Sequence, residues 1–575
     1  MKRTQITFFV ILALAVGVIY FFNANRQQAN TPDDPNTPDA PPPAGTVLVS
    51  VASSNTKQTW LDNVAAKFNA SNPKTASGKN IQVQVKHVTS GASLEDIQNG
   101  LLKPVVWSPG DQSWTAQLNQ TWQQRNNRPV ASEACKPTIY APVGFVMWRP
   151  MAELLGWPDK PIGWDTIVAL ANDPNGWATY GRPEWGKFRF GHTHPEYANS
   201  GLLAMTSFVY GVSSKGLNLT AQDVYAPEVE EAMRALEQST AKYGRSAPAI
   251  LDLMARQGTS YLHAAAVPEA DAVKFNVERG SELSQPFAFI FPEQGTLWGD
   301  HPYCILNNAD WVDADQLEAA KVFEAYLLAK EQQEMAIDAY LRPLDKTIPL
   351  RSPMVLENGT DPSVTIDTYP VLPSPSADIG KAVIDLFKIT KRKATVLLVL
   401  DISGSMEGDK IKTARDATVE FLQRLDANDN VGVMVFNDVV TSFAEPTRAG
   451  DVAETLSERV GGLLADGSTN LYGAVCEAVE QMEALKDAGT ENRLYGIVLL
   501  SDGEDTVEQV TENQMFATCL PANAEADGIK IFPIAFGEDA DTDVLSRIAA
   551  VTAGQMFKAD PASISNVYLS ISAEQ

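Results

Sequence analysis

Histidine, cysteine and positive charge are all scarce in this chain of 575 residues. The five histidines are His87, His192, His194, His263 and His301. None belongs to an H-E-x-x-H pattern, and the chain has no G-x-S-x-G elbow and no phosphate-gripping glycine loop. Those absences remove the common metallohydrolase, serine-hydrolase and nucleotide-hydrolysing readings. His192, His194 and Glu196 are a bare H-x-H-x-E group, and Glu293 with Asp300 is a bare carboxylate pair; neither spacing is diagnostic of chemistry. The expectation is a binding protein, not an enzyme. Lys and Arg total 45 against 71 Asp and Glu, a net charge of -26. A surface this acidic repels a phosphate backbone, which excludes nucleic acid as a partner.

Cysteine is limited to Cys135, Cys304, Cys476 and Cys519. In an exported chain an even number suggests disulfides. Pairing within each half, Cys135 with Cys304 and Cys476 with Cys519, is the simplest of the three pairings, and four buried thiols are the alternative. One long apolar run stands out, ITFFVILALAVGVIYFF at 6–22, behind Lys2 and Arg3. At helical rise it covers about 25 Å, slightly short of a bilayer core. It ends in Tyr20, Phe21 and Phe22, and Asn23-Ala24 is a poor cleavage site. Residues 1–25 therefore read as a signal-anchor, with a cleaved signal peptide as the alternative. This places the chain in a membrane as a single-pass protein with its folded part extracytoplasmic. Residues 26–45, rich in proline, read as a stalk.

The remainder is too long for one hydrophobic core. From residue 46 to about 345, strands and helices alternate: a strand at 46–54, a helix with Trp60, Val64 and Phe68 on one side, a strand at 81–88, a helix from Leu94 and a strand at 105–107. This order means a mostly parallel sheet covered on both faces. TIYAPVGFVMW at 138–148 is long enough to cross between two lobes. Residues 346–392 read as a linker with a short helix. From 393 to 575, continuous apolar strands (394–400, 431–436, 495–500, 529–536) separated by amphipathic helices imply a doubly wound α/β sandwich.

In that second unit DISGSM at 401–406 follows a buried strand, DGSTN at 466–470 precedes a helix, and SDGEDT at 501–506 follows another strand. Open α/β sheets place ligands at such strand ends. Asp401, Ser403, Ser405, Thr469 and Asp502 are all oxygen donors, without Cys or His. They select a hard cation, Mg²⁺ first, with Mn²⁺ or Ca²⁺ also suited. Glu504 and Asp505 read as solvated loop charges. This set of loops resembles the von Willebrand factor A (VWA) family. The resemblance implies a metal-ion-dependent adhesion site in which the cation takes a carboxylate from a protein or polymer partner.

The first unit resembles bacterial extracellular solute-binding proteins of ABC uptake systems. The resemblance rests on VSVASSNTK at 49–57, TSGAS at 89–93, WSP at 107–109, HPEYANSG at 194–201, PEQGT at 292–296 and AYLRP at 339–343. It implies a two-lobed, periplasmic-binding-protein-like module. Ser53, Ser54, Asn55, Ser90, Ser108, Ser200 and Gly201 then become cleft candidates for a small solute. Several of them stand at helix starts, which favour an anion; ordinary helix capping is the alternative for any single serine. Trp107, Trp114, Trp298 and Trp311 either line the cleft or pack. Two functions follow from the pair of resemblances. One is a membrane-tethered binding protein that engages its partner through Mg²⁺. The other is the solute receptor of an ABC permease, with the VWA unit docking accessory proteins.

Overall fold

The computed structural model describes residues 45–213, 215–521 and 528–572. The chain opens with β1 (Thr46–Ser53), α1 (Gln58–Ala70), β2 (Asn80–His87), α2 (Ser90–Gln98), β3 (Val106–Ser108) and α3 (Gln112–Asn126). It crosses through β4 (Ile139–Tyr140) into β5 (Val143–Trp148), β6 (Phe190–Thr193), α4 (Asn199–Ser213), α5 (Pro227–Ser239), β7 (Thr240–Gly244), α6 (Ala247–Gln257), β8 (Ala264–Pro268), α7 (Glu269–Arg279) and β9 (Phe287–Ile290). It returns as β10 (Cys304–Ile305), α8 (Ala314–Leu327), α9 (Lys330–Asp338) and β11 (Arg342–Pro343).

The result is two lobes. The first has sheet order β10-β3-β1-β2 and the second β7-β6-β8-β5-β9, with β4 and β11 paired between them. In the first lobe β1 is parallel to β2 and β3, as the strand–helix alternation requires. Val47, Val49 and Val51 are buried along β1, and Trp60, Val64 and Phe68 form the buried stripe of α1. Burying each of these large side chains contributes roughly 1.5–3 kcal/mol. The run expected as one strand over 138–148 is broken at Ala141-Pro142 into β4 and β5, since proline brings no N–H to a ladder. Helix α3 escapes hydrophobic periodicity because its face is mostly Gln and Asn around Trp114 and Leu118. It is fixed at its ends, where Asp111 accepts from the Ser113 N–H at 2.9 Å and Asn127 takes a left-handed φ of 55°.

Residues 345–375 are packed, not loose. Phe289 N–H donates to Gly359 O at 2.7 Å and Leu372 N–H to Thr296 O at 3.0 Å. Buried Arg342 holds Glu269 through two bonds of 2.6 and 2.7 Å. Helix α10 (Ala377–Thr390) then buries Val383, Leu386 and Phe387.

The second unit comprises β12 (Ala394–Asp401), α11 (Asp409–Arg424), β13 (Asn430–Phe436), β14 (Val440–Arg448), α12 (Ala449–Gly461), α13 (Leu471–Ala488), β15 (Leu494–Ser501), β16 (Lys530–Phe536), α14 (Thr542–Val551), β17 (Phe557–Ala559) and α15 (Ile564–Ser572). Its sheet order is β14-β13-β12-β15-β16-β17. Only β14 runs antiparallel to its neighbour. Leu398 and Val433 pack on one face, Leu397 and Met434 on the other. Two covered faces explain the unbroken apolar strands. Both within-half disulfides are present, with Cα–Cα separations of 4.3 Å for Cys135–Cys304 and 5.0 Å for Cys476–Cys519.

One expectation is corrected. Among the described residues no helix is long and apolar enough to cross a membrane. Single-pass membrane location, the signal-anchor and the membrane as a partner are withdrawn on that finding. The run at 6–22 on which they were read lies outside the described residues.

Candidate functional site

A cleft of about 920 Å³ lies between the two lobes. Helix starts from both lobes line it: Ser54 and Asn55 ahead of α1, Thr89 and Ser90 at α2, Asn199 and Ser200 at α4, and Ser246 and Ala247 at α6. Each start presents backbone N–H groups that lack helical acceptors and carries the positive end of a helix dipole. The lobes also touch here. Gly91 N–H donates to Tyr197 O at 3.2 Å. A Cβ on Gly91 would lie 2.2 Å from Glu196 O, so glycine is what allows this approach. The segments TSGAS and HPEYANSG therefore meet face to face.

Beneath Ser54 is a buried polar cluster. Lys57 Nζ donates to Ser54 Oγ at 2.9 Å and to Ser108 O at 2.8 Å, and lies 3.3 Å from His301 Nδ1. Ser54 Oγ is 3.0 Å from the same ring nitrogen. Burial pushes the Lys57 ammonium well below its ordinary value, against the pull of Asp300. Burial lowers His301 too, with Lys57 adding to the effect. The cluster fixes the Ser54 hydroxyl at the cleft floor. Cleft-lining Asp271 is pushed up to about 7 by burial, with Lys274 pulling the other way.

Ser54, Asn55, Ser90 and Ser200 thus line one cleft, and Ser53, Ser108 and Gly201 do not. Ser53 is buried with its hydroxyl on Ser54 O. Ser108 offers its carbonyl to Lys57. Gly201 packs against the Thr193 backbone, where a Cβ would come within 2.1 Å of its oxygen. The tryptophans pack instead of lining the cleft: Trp107 Nε1 donates to Ser93 Oγ at 3.0 Å, Trp114 Nε1 to Asn199 Oδ1 at 2.9 Å and Trp311 Nε1 to Pro104 O at 2.8 Å. His192 is a core residue 3.2 Å from Glu237. His194 packs against Phe387 at 4.9 Å, and Glu196 pairs with Lys388 at 2.8 Å. The H-x-H-x-E group is therefore dispersed. Sequence reading missed Ser246 and Arg245 in the cleft, although S-A-P at 246–248 is a helix-start signature.

At the carboxyl edge of the second unit's sheet, where β12 and β15 end, the three expected loops come together. Gly404 N–H donates to Gly467 O at 2.9 Å and Thr506 N–H to Thr469 O at 2.8 Å. Ser403 Oγ is 3.0 Å from Ser405 Oγ, which donates to Asp502 Oδ1 at 2.7 Å. Asp401 accepts from Ser403 N–H at 2.9 Å and from Ser501 Oγ at 2.7 Å. Burial pushes its carboxyl up to about 6, opposed by those two serines. Lys410, unnoticed in the sequence, holds Asp502 Oδ2 at 2.6 Å. Asp505 accepts from the Tyr472 N–H at 3.1 Å and so steadies the first turn of α13.

The family of bacterial extracellular solute-binding proteins matches residues 49–342, just over half of the chain. The chain belongs to that family. The von Willebrand factor type A domain matches residues 395–568. A UPF0353 protein of Mycolicibacterium gilvum is 25% identical over 193 residues, 30% of this chain and 57% of that protein. The chain thus spans little more than half the length of that curated relative. Among solved structures, the periplasmic binding protein AfuA of Actinobacillus pleuropneumoniae, with fructose-6-phosphate bound, is 14% identical. It has a TM-score of 0.42 and covers 60% of this chain and 98% of its own. The sulfate-binding protein SubI of Mycobacterium tuberculosis is 15% identical, with a TM-score of 0.36, covering 52% of this chain and 88% of its own.

The solute-binding module and the VWA domain belong to families that are generally non-catalytic, which is consistent with a non-enzymatic assignment. The expected protein or polymer partner on a VWA metal site is corrected. Among the described residues no group of three or more His, Cys, Asp or Glu gathers as a metal site. The VWA cluster offers two carboxylates, and Lys410 already pairs with one of them.

Proposed function

We propose that this protein is the solute-binding component of an ABC-type uptake system. Residues 46–345 hold a small anionic solute, and the VWA domain, 393–575, docks accessory proteins. The observation that supports this reading is the convergence of helix starts from both lobes, at Ser54, Ser90, Ser200 and Ser246, on one cleft. A bound anion there accepts from backbone N–H groups on both lobes and draws them together. Calorimetry of residues 45–575 against a panel of phosphate, sulfate, organic phosphates and carboxylates tests it. One-to-one binding, weakened about 10- to 100-fold by Ser90→Ala with Ser246→Ala, is expected from the loss of hydrogen bonds to a charged group. An absence of binding across the panel removes the reading.

We further propose that Asp401, Ser403, Ser405, Thr469 and Asp502 hold one Mg²⁺, with Mn²⁺ or Ca²⁺ as substitutes. Two nearly buried carboxylates beside three hydroxyls suit a hard cation, which would supply positive charge to a set of oxygens in which one lysine meets only Asp502. Titration with each metal, and its loss in Asp401→Ala, is the check; unchanged affinity in that variant excludes the site.

A further inference from the structure

The seam between the two lobes is packed by a helix that belongs to neither. On α10, a Cβ at Gly380 would lie 3.4 Å from Gln117 Nε2 on α3 of the first lobe. It would lie 4.0 Å from Leu202 Cδ1 on α4 of the second. Trp114 and Leu118 of α3, Leu202 of α4 and Ile379, Ala382 and Val383 of α10 belong to one buried apolar cluster. Just ahead of α10, Ser374 Oγ donates to Asp111 Oδ2 at 2.7 Å. That carboxylate is buried at the start of α3. On the opposite side, Lys388 of α10 pairs with Glu196 of the second lobe at 2.8 Å.

The two lobes are not held alike. Tyr243 of β7 and Phe387 of α10 are buried in the apolar cluster of the VWA sheet. Arg392 Nη1 donates to Thr240 O at 3.2 Å, and Asn492 Nδ2 to Gln238 Oε1 at 2.9 Å. The second lobe, α10 and the VWA domain therefore share a core. Toward the first lobe, by contrast, the VWA domain reaches out with Arg424, 3.9 Å from Glu95 of α2, between exposed side chains. An exposed pair at that distance holds little. The α3 side of the seam also carries a cost. Gln117 Nε2 is buried there with no hydrogen-bond partner among the described residues.

We infer that α10 is a latch on the first lobe: the second lobe, α10 and the VWA domain form one body, and the first lobe opens the cleft by leaving α10. The apolar seam and the Ser374–Asp111 bond hold the latch shut. The orphaned Gln117 amide, which opening returns to water, works against them. Opposed contributions at one seam keep a hinged closure reversible. The inference rests on the two-lobed cleft and not on the anion reading, since any solute must enter between the lobes. Only residues 391–393 separate α10 from β12. A partner docked on the VWA domain, as proposed above, frees the cleft if it draws α10 from the seam. By reciprocity, solute in the cleft then alters that docking.

The test is hydrogen exchange at the Gly91 amide, read by mass spectrometry at single-amide resolution on residues 45–575. Gly91 lies in the first turn of α2, where helical acceptors are lacking. Its bond to Tyr197 O across the seam protects it, so its exchange tracks the open fraction. Ser374→Ala removes a bond to a buried carboxylate and should speed this exchange about 10- to 100-fold. Gln117→Met removes the orphaned amide and should slow it about 5- to 50-fold. Amides of β12 should exchange as in wild type in both variants, which separates lobe opening from unfolding. Gly91 exchange that neither variant alters overturns the latch. So does faster exchange in Gln117→Met, or a Ser374→Ala effect that β12 shares in full.

Discussion

Replacing Gly91 by alanine tests whether the two lobes meet as described. The added Cβ would lie 2.2 Å from Glu196 O, 2.9 Å from Tyr197 Cα and 3.0 Å from Tyr197 O. All three neighbours are backbone, so no side chain can swing aside. Reaching an ordinary contact requires a retreat of about 1 Å, and forced overpacking of this kind costs about 1–3 kcal/mol. The Gly91 N–H to Tyr197 O bond at 3.2 Å goes with it, a further loss of about 0.5–1.5 kcal/mol. The strain has two outlets. Held rigid, the chain loses about 2–4 kcal/mol of stability in urea titration. Opened, it moves Ser90 away from Ser200 and Ser246 and loses solute affinity, seen by calorimetry. A variant unchanged in both would refute the described approach of the lobes.

Further outcomes concern other parts of the molecule. Lys410→Met should raise Mg²⁺ affinity about ten-fold, because an ammonium 2.6 Å from Asp502 Oδ2 no longer has to be displaced; calorimetry showing no gain contradicts the metal proposal. Asp271 sits at about 7 when folded, against about 3.9 in an unfolded chain. The folded state thus binds the proton more tightly, and stability falls as pH rises from about 4 to 7 and then levels off. Asp271→Asn removes this slope, so its melting temperature relative to wild type should climb between pH 5 and pH 8. Replacing Cys476 and Cys519 together by serine opens a loop with a sequence separation of 43 and should lose up to about 4 kcal/mol by the loop-entropy estimate, measured by denaturant unfolding without reductant.

The strands of the VWA domain were legible because they are buried on both faces. An unbroken run such as ATVLLVL leaves little else to be. Its edge strand β14 was not legible: its residues are part-buried or exposed in no regular alternation, and Pro446 interrupts them, so no apolar run marks it. In the solute-binding module β7 has no mark of its own in the sequence, because Thr240–Gly244 continues α5 with no glycine or proline between. The oxygen cluster could be assembled from sequence because each donor follows or precedes an apolar strand or helix at one edge. Lys410 could not, since its approach to Asp502 depends on the first turn of α11 in three dimensions. The cleft was half legible. Serines at helix starts are visible in sequence, but only the lobe packing separates Ser54 and Ser90, which line the cleft, from Ser53 and Ser108, which do not.

The most direct test of the central claim is an anomalous-difference map from crystals of residues 45–575 soaked in arsenate. Arsenic marks an oxyanion without ambiguity, and arsenate has the charge and tetrahedral shape that converging helix starts favour. The expected result is one strong peak in the interlobe cleft, within hydrogen-bonding distance of backbone N–H groups near Ser54, Ser90, Ser200 and Ser246. A cleft empty of arsenic at saturating concentration, with peaks only on the outer surface, would contradict the account.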